Sequence, residues 1–345
     1  MKSQTSKKSR NFFLDFCKAI TIILVVFGHN IQYGSGTSYL NAEAFFQNPV
    51  FKFIYSFHMP LFALISGYLF SFSVIRHSSS ELILRRSKAS IVPLVFWNIV
   101  VWILQSCQLN RTSLWDIRGF ISSVLNSYWF IWGIFLCSIF IIVVRELRNY
   151  RTIILFIAFV LLFFLPKTYN LYLYGFIFPY FVIGFFGAKK SDVFYFVRRN
   201  WIYVEASLIL IYLVLLNLYN LDSYIYTSGI SVATDGWKMV LIDLYRWGIG
   251  FVGATLVICT LWKIQALVQK MHVLKNMLSI IGMNSLPIYM VDMFLINTYL
   301  PIITKNSSPN ISYWILETVI IVSVVILMKI IVSKFSILSK IIFGA

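Results

Sequence analysis

Residues 12–33 read FFLDFCKAITIILVVFGHNIQY, and this stretch predicts a helix that crosses a lipid bilayer. It is mostly apolar, and its length meets the roughly 20 residues that a spanning helix needs. Breaks at proline, glycine and charge clusters delimit further stretches with the same character. The ten predicted spans cover residues 12–33, 50–75, 90–108, 128–144, 152–166, 170–188, 201–219, 239–262, 279–302 and 311–333. The fifth span is short, and it also fits a partial or interfacial helix.

The composition of the 345-residue chain agrees with a membrane protein. Hydrophobic residues make up 59% of the sequence and charged residues only 12%, whereas a soluble domain carries about 25% charged residues. So few charges cannot cover a water-soluble surface, which excludes a soluble enzyme and a disordered chain. The four cysteines lie in apolar stretches without the spacing of a metal site or a disulfide set. We predict an all-α, polytopic integral membrane protein with about ten transmembrane helices.

The net charge of +17 can be interpreted in two ways. Clustered lysine and arginine can bind nucleic acid, but in membrane proteins they collect in cytoplasmic loops. With the N-terminus in the cytoplasm, most of the 29 lysines and arginines fall in alternate, cytoplasmic segments. We therefore predict cytoplasmic termini, contact with the lipid bilayer and no nucleic-acid partner.

The same pattern predicts a simple domain organisation. Residues 1–11 form a basic cytoplasmic N-terminus, residues 12–333 a single transmembrane domain, and residues 334–345 a cytoplasmic tail. No small-residue cleavage site follows the first apolar segment, so a signal peptide is not predicted.

Ionisable residues within the first two spans predict a functional site, because such groups are costly in lipid and usually face a protein interior. Lys18 and His29 are eleven residues apart, which places them on one helix face about 16 Å apart. His58 lies at a depth similar to His29, and Pro60 can open space beside it. The alternative is a snorkelling lysine and a structural histidine. Two histidines also suit a metal, but a third ligand at supporting spacing is not evident, so no metal is predicted.

These residues resemble membrane acyltransferase family 3, the integral-membrane sugar O-acyltransferases. Lys18 and His29 match its basic-x10-His pattern, and residues 57–67, FHMPLFALISG, resemble its Phe-His-x-Pro-hydrophobic-Ser-Gly stretch. Residues 85–88, RRSK, are similar to its basic cytoplasmic element. The resemblance extends over about residues 10–300, with residues 128–130 and 282–289 as supporting segments.

The chain also departs from the family pattern at two places. The basic element commonly reads Arg-x-x-Arg, but Arg86 is followed three residues later by Ala89. The late segment often ends in histidine, where this chain has Asp292.

The resemblance implies transfer of an acyl group, usually acetyl, from cytoplasmic acetyl-CoA to a glycan hydroxyl outside the bacterial cytoplasmic (inner) membrane. His29 would be the general base or carry the acyl group itself. His58 would orient His29 or polarise the thioester carbonyl, and Lys18 would contact the donor or organise the site. Arg85, Arg86 and Lys88 would pair with the CoA phosphates; their alternative is an ordinary positive cytoplasmic loop.

Further polar and aromatic residues are candidates for binding the acceptor glycan. They are Trp129, Asp243, Arg246, Asp292 and Glu317. The alternative for Asp243 and Arg246 is an ion pair that holds helices together. Trp129 also fits an ordinary interfacial aromatic residue.

Two other classes of protein compete with the enzyme. A glycan or small-molecule transporter also needs buried polar groups, although the sequence shows no paired halves with matching broken spans. A non-catalytic envelope scaffold has no need for Lys18, His29 and His58 within lipid. The sequence leaves open the acceptor glycan, the acyl group and the oligomeric state.

Overall fold

The structure, a computed structural model, describes residues 11–33, 43–107, 113–188, 195, 199–226, 232–299 and 310–344. These residues contain helices and no strand, so the predicted all-α polytopic architecture is confirmed. The main helices are α1 (Phe12–Tyr33), α2 (Pro49–Arg76), α3 (Ser79–Cys107), α4 (Ile117–Asn126), α5 (Trp129–Glu146), α6 (Arg151–Leu162), α7 (Leu171–Gly187), α8 (Trp201–Leu218), α9 (Lys238–Lys270), α10 (His272–Met283), α11 (Ser285–Thr298), α12 (Ile311–Val332) and α13 (Ser336–Phe343).

The number of membrane crossings depends on two elements. Eight helices in the described part of the chain are long and apolar enough to span, and the bent pair α10–α11 adds a ninth. Helix α6 has 12 residues, about 18 Å of rise, which is shorter than a hydrocarbon core of about 30 Å. Ten crossings and cytoplasmic termini therefore stay predictions, and residues 1–10 lie outside the described residues.

The third predicted span begins too late in the sequence. Residues 90–108 were expected to be helical, but α3 begins at Ser79 and includes a π-helical turn over Ser87–Ile91. Ser78 caps the helix, because its side chain accepts a hydrogen bond from the Glu81 backbone N–H. Serine followed three residues later by glutamate is a known start signal that the apolar pattern alone does not show.

The ninth predicted span, residues 279–302, is two helices rather than one. Helices α10 and α11 meet at Asn284 at a bend of 67°. Pro287 lacks a backbone N–H and clashes with the preceding turn, which is a usual cause of such a kink. The predicted C-terminal tail also has structure, because the Trp97 indole of α3 donates to the Ile342 carbonyl of α13 at 3.1 Å.

Helices α1 and α2 form the centre of the bundle. Helix α2 packs against α1, α7 and α9, and α1 packs against α10, α11 and α12. Helix α8 lies at the periphery and buries almost none of its surface. Helix α1 carries Lys18 and His29, and α2 carries His58. The predicted functional residues therefore lie on the two central helices of the described bundle.

The contact between α2 and α7 depends on two glycines. A Cβ added to Gly67 would overlap the Phe181 carbonyl oxygen, and one added to Gly184 would overlap the Leu64 carbonyl oxygen. The two backbones are in direct contact on both sides of the crossing. Glycines at such crossings let helices approach closely, which strengthens packing in membranes.

We expect alanine at Gly67 or at Gly184 to lower the free energy of unfolding by about 1–3 kcal/mol, because the added Cβ forces the two helices apart. The measurement is the midpoint of thermal unfolding in detergent. Gly187→Ala is the matched control, since a Cβ there meets no atom within 4 Å. A Gly67→Ala variant with the midpoint of the control would contradict this account of the crossing.

Candidate functional site

Two cavities lie near opposite ends of one face of α1. The first, called the histidine cavity, has a volume of about 390 Å³ and is lined by His29 and His58. The second, called the lysine cavity, has a volume of about 180 Å³ and is lined by Lys18 and Arg86. Lys18 and His29 thus share a helix face, as predicted from their spacing, and each lines a different cavity.

The histidine cavity is rich in aromatic rings and in neutral hydrogen-bonding groups. Its aromatic lining includes Tyr33, Tyr55, Tyr128, Trp129, Tyr172, Tyr219, Tyr224, Tyr226 and Tyr289. Its amides and hydroxyls include Gln32, Asn98, Gln105, Ser123, Asn126, Ser127 and Asn170. Rings with polar edges and amides are the groups that bind sugars, through stacking and paired hydrogen bonds.

His29 forms a hydrogen-bonded pair with Asp292 of α11. The distance from His29 Nδ1 to Asp292 Oδ2 is 2.6 Å, and the Asp292 side chain is fully buried. The carboxylate accepts from Nδ1–H, which leaves His29 Nε2 with a lone pair for a reacting proton or carbonyl carbon. A buried aspartate in this position fixes the tautomer and stabilises the imidazolium that forms during catalysis.

The second oxygen of Asp292 strengthens that interpretation. Oδ1 is buried, and within the described ranges it has no hydrogen-bond partner. A carboxylate so poorly neutralised interacts strongly with any positive charge that develops nearby. Proton uptake by His29 would supply that charge.

His58 lines the histidine cavity, and one of its ring nitrogens is engaged by the backbone. The ring is buried, and Nδ1–H donates to the Ile54 carbonyl at 2.9 Å. In a neutral ring Nε2 is then an acceptor. His58 in this form can bind a hydroxyl, whereas polarising a thioester carbonyl would require a charged ring. Tyr55 packs edge-on against His58, with 4.6 Å between ring centroids, and fixes its orientation.

The lysine cavity combines two cations with an apolar wall. Lys18 pairs with Asp15 at 2.9 Å, and the Arg86 guanidinium lies over the Phe70 ring, 4.6 Å from its centroid. The remaining lining is mainly aliphatic and aromatic, with hydroxyls at Ser66, Ser90 and Ser285. Cations beside an apolar wall can bind a ligand that has both an anionic and an apolar part.

The other two predicted donor-binding residues lie elsewhere. Arg85 is exposed and pairs with Glu81 of its own helix at 2.8 Å. Lys88 is also exposed, and neither residue lines the lysine cavity. Of the three basic residues, the structure brings only Arg86 next to Lys18.

The predicted acceptor-binding residues are similarly divided. Trp129 lines the histidine cavity, whereas Asp243, Arg246, Asp292 and Glu317 do not. Asp292 instead contacts His29, and Glu317 lies on α12 outside the lining.

Arg246 does not line the histidine cavity but holds the backbone segment that precedes one of its lining residues. Its buried guanidinium pairs with Asp243 at 2.9 Å and donates to the carbonyls of Ser223 at 2.9 Å and Asp222 at 2.8 Å. The segment it holds leads directly into Tyr224, which lines the cavity. The ion pair proposed as an alternative from the sequence is therefore present, and it positions a loop.

Tyr128 is a cavity residue that the sequence did not identify. It precedes α5 with a positive φ of 48°, in the left-handed region that non-glycine residues seldom adopt. Its hydroxyl donates to the Met290 carbonyl of α11 at 3.2 Å. Asn126 and Ser127 indicate a turn before it, but the sequence gives no sign that the left-handed residue is Tyr128 itself.

Among the described residues, no group of three histidine, cysteine, aspartate or glutamate side chains is placed to hold a metal ion. The His29–Asp292 pair is a separate feature of the site, and its hydrogen bond resembles that of a histidine acting as an acid or base.

Comparison with known proteins identifies the architecture. A family model described as an acyltransferase domain, that of acyltransferase family 3, matches residues 11–332. Nodulation protein NolL of Mesorhizobium japonicum is 34% identical over 203 residues, which cover 57% of this chain and 53% of that protein. Nodulation protein NolL of Sinorhizobium fredii is 30% identical over 187 residues, covering 53% and 50%. The chain thus spans about half the length of these curated relatives. No solved structure matches the chain significantly.

Proposed function

Because the chain belongs to membrane acyltransferase family 3, we propose that it moves an acetyl group from acetyl-CoA to a hydroxyl of an envelope or extracellular glycan. The observation that carries this proposal is the His29–Asp292 pair at the wall of a cavity lined by aromatic rings and amides. Family membership also favours an enzyme over the transporter and the scaffold. The proposed location is the bacterial cytoplasmic membrane.

The lysine cavity suits the acyl donor. CoA has phosphates at one end and a narrow pantetheine arm that ends in the thioester. Lys18 and Arg86 would bind the phosphates, since lysine and arginine form charge-assisted hydrogen bonds with them. The apolar walls, which include Phe62 and Ile131, would contact the arm. The positive-inside pattern of the sequence supports an orientation in which this end of the protein is cytoplasmic.

The histidine cavity suits a sugar acceptor. Its volume of about 390 Å³ falls within the usual range of small-molecule sites, about 300–1,000 Å³. Trp129 and the surrounding tyrosines would stack on sugar faces, while Asn98 and Gln105 would bind hydroxyls. His58 Nε2 would accept from a hydroxyl and hold it beside His29.

The proposed reaction exchanges a thioester for an ester. The acceptor oxygen attacks the acetyl carbonyl carbon as its proton passes to His29 Nε2. The carbon–sulfur bond then breaks, and the proton passes from His29 to the departing CoA sulfur. Asp292 stabilises the transient imidazolium. In the two-step alternative, Nε2 attacks the thioester first, and the carbon–sulfur bond breaks to release CoA as the thiolate. The hydroxyl oxygen then takes the acetyl group from Nε2, and its proton ends on the released thiolate.

Membrane vesicles of defined orientation test this function. We expect inside-out vesicles that contain the protein and glycan to move label from acetyl-CoA to the glycan and to release free CoA. Sealed right-side-out vesicles exclude acetyl-CoA, so we expect them to be inactive until detergent opens them. Folded protein in opened vesicles that yields neither labelled glycan nor free CoA would refute the proposal.

A further inference from the structure

Two side chains belong to the walls of both cavities. Met59 of α2 and Tyr289 of α11 line the histidine cavity and the lysine cavity alike. Both side chains are buried. Met59 directly follows His58, and Tyr289 precedes Asp292 by three residues, which is about one helical turn. The boundary between the cavities therefore lies next to the reacting histidine.

The side chains of Tyr289 and Met59 differ in conformational freedom. The Tyr289 side chain is buried among other aromatic rings. Its ring also packs edge-on against Tyr128 and Phe130, with centroid distances of 6.4 Å and 6.1 Å. The position of the Tyr289 ring is thus constrained by two neighbouring rings. Methionine is unbranched and flexible, so Met59 is the side chain that can adjust to a passing group.

We propose that Met59, which together with Tyr289 lines both cavities, determines the length of the acyl chain that the enzyme transfers. This inference rests on the proposed function. CoA bound in the lysine cavity must present its thioester to His29, which faces the other cavity, so the acyl group has to occupy the boundary. A two-carbon acetyl group needs little room there. Each added methylene has to displace the Met59 side chain from buried packing.

The test compares kcat/KM for acetyl-, propionyl- and butyryl-CoA in the wild type and in Met59→Ala. A single methylene in an apolar pocket changes specificity by about 10–200-fold. We expect the butyryl-to-acetyl ratio to rise at least about tenfold in the alanine variant. Met59→Val is expected to shift the ratio in the same direction by less, and it serves if the alanine variant does not fold.

Two matched controls separate the boundary from general changes of the site. Met59→Leu nearly conserves side-chain volume and is expected to keep the wild-type ratio. Met293→Ala enlarges the histidine cavity alone and is also expected to leave the ratio unchanged. Active alanine and valine variants with the wild-type ratio would overturn the inference and leave acyl transfer standing. A folded wild type that transfers none of the three acyl groups would instead overturn the proposed function.

Discussion

Replacing His29 by alanine is expected to reduce acyl transfer by about 10²–10⁴-fold, the usual contribution of a positioned acid–base group. His29 lines the histidine cavity. Its Nδ1 is hydrogen-bonded to the buried Asp292 carboxylate, so Nε2 is the ring nitrogen left for the reaction. The measurement is the rate of label transfer from acetyl-CoA to glycan, with free CoA followed in parallel.

The control variants distinguish lost chemistry from lost structure. His272→Ala makes the same substitution at an exposed position at the start of α10 and is expected to keep full activity. His29→Gln supplies an N–H donor for Asp292 without a titratable ring, so it is expected to fold well and to remain inactive. A folded His29→Ala protein with wild-type transfer would remove His29 from the mechanism. Label that stays on the wild type in the absence of glycan would indicate the two-step route.

The features of the candidate site that the sequence could predict are local ones. The spacing of Lys18 and His29 is a property of one helix, and the structure places them on one face as expected. The apolar stretches likewise predicted that helices occur and roughly where, since the bilayer imposes a length of roughly 20 residues, but not the early start of α3 or the bend between α10 and α11. His58 was found by its depth in the adjacent span.

The partner of His29 was not predictable in the same way. Asp292 is 263 residues away in sequence, and hydropathy does not tell which spans are neighbours. The approach also depends on the bend between α10 and α11. Gly282 contributes to it, because a Cβ there would overlap the Asp15 carbonyl of α1. The sequence identified Asp292 as unusual in a span, but it grouped that residue with sugar-binding candidates.

Arg246 illustrates the opposite difficulty. A charged residue in a span predicts a functional group, yet its hydrogen bonds to the Asp222 and Ser223 carbonyls give it a supporting position. Those carbonyls belong to a loop, and which loop an arginine reaches is decided by tertiary packing. Burial and charge alone do not separate a residue that contacts substrate from one that holds the cavity wall.

Replacing Asp292 by asparagine is expected to lower kcat by about 10²–10⁴-fold while leaving KM for both substrates nearly unchanged. Asparagine has the same shape, but it carries no charge to stabilise the imidazolium. Its amide N–H₂ can also donate to His29 Nδ1, which moves the ring proton to Nε2 and blocks the reacting nitrogen. Asp292 lines neither cavity, so we expect binding of the proposed donor and acceptor not to depend on it.

The split between kcat and KM separates this role from a structural one. A variant that merely loosened α11 would lose substrate affinity and unfold at a lower temperature, because α11 also carries Tyr289 into both cavities. Asp292→Asn is instead expected to keep the thermal unfolding midpoint of Asp235→Asn, the same substitution at an exposed aspartate. An Asp292→Asn enzyme with wild-type kcat would show that His29 works without its carboxylate partner. Equal losses in Asp292→Asn and Asp292→Ala would show that the negative charge, rather than the hydrogen-bonding shape, is what His29 requires.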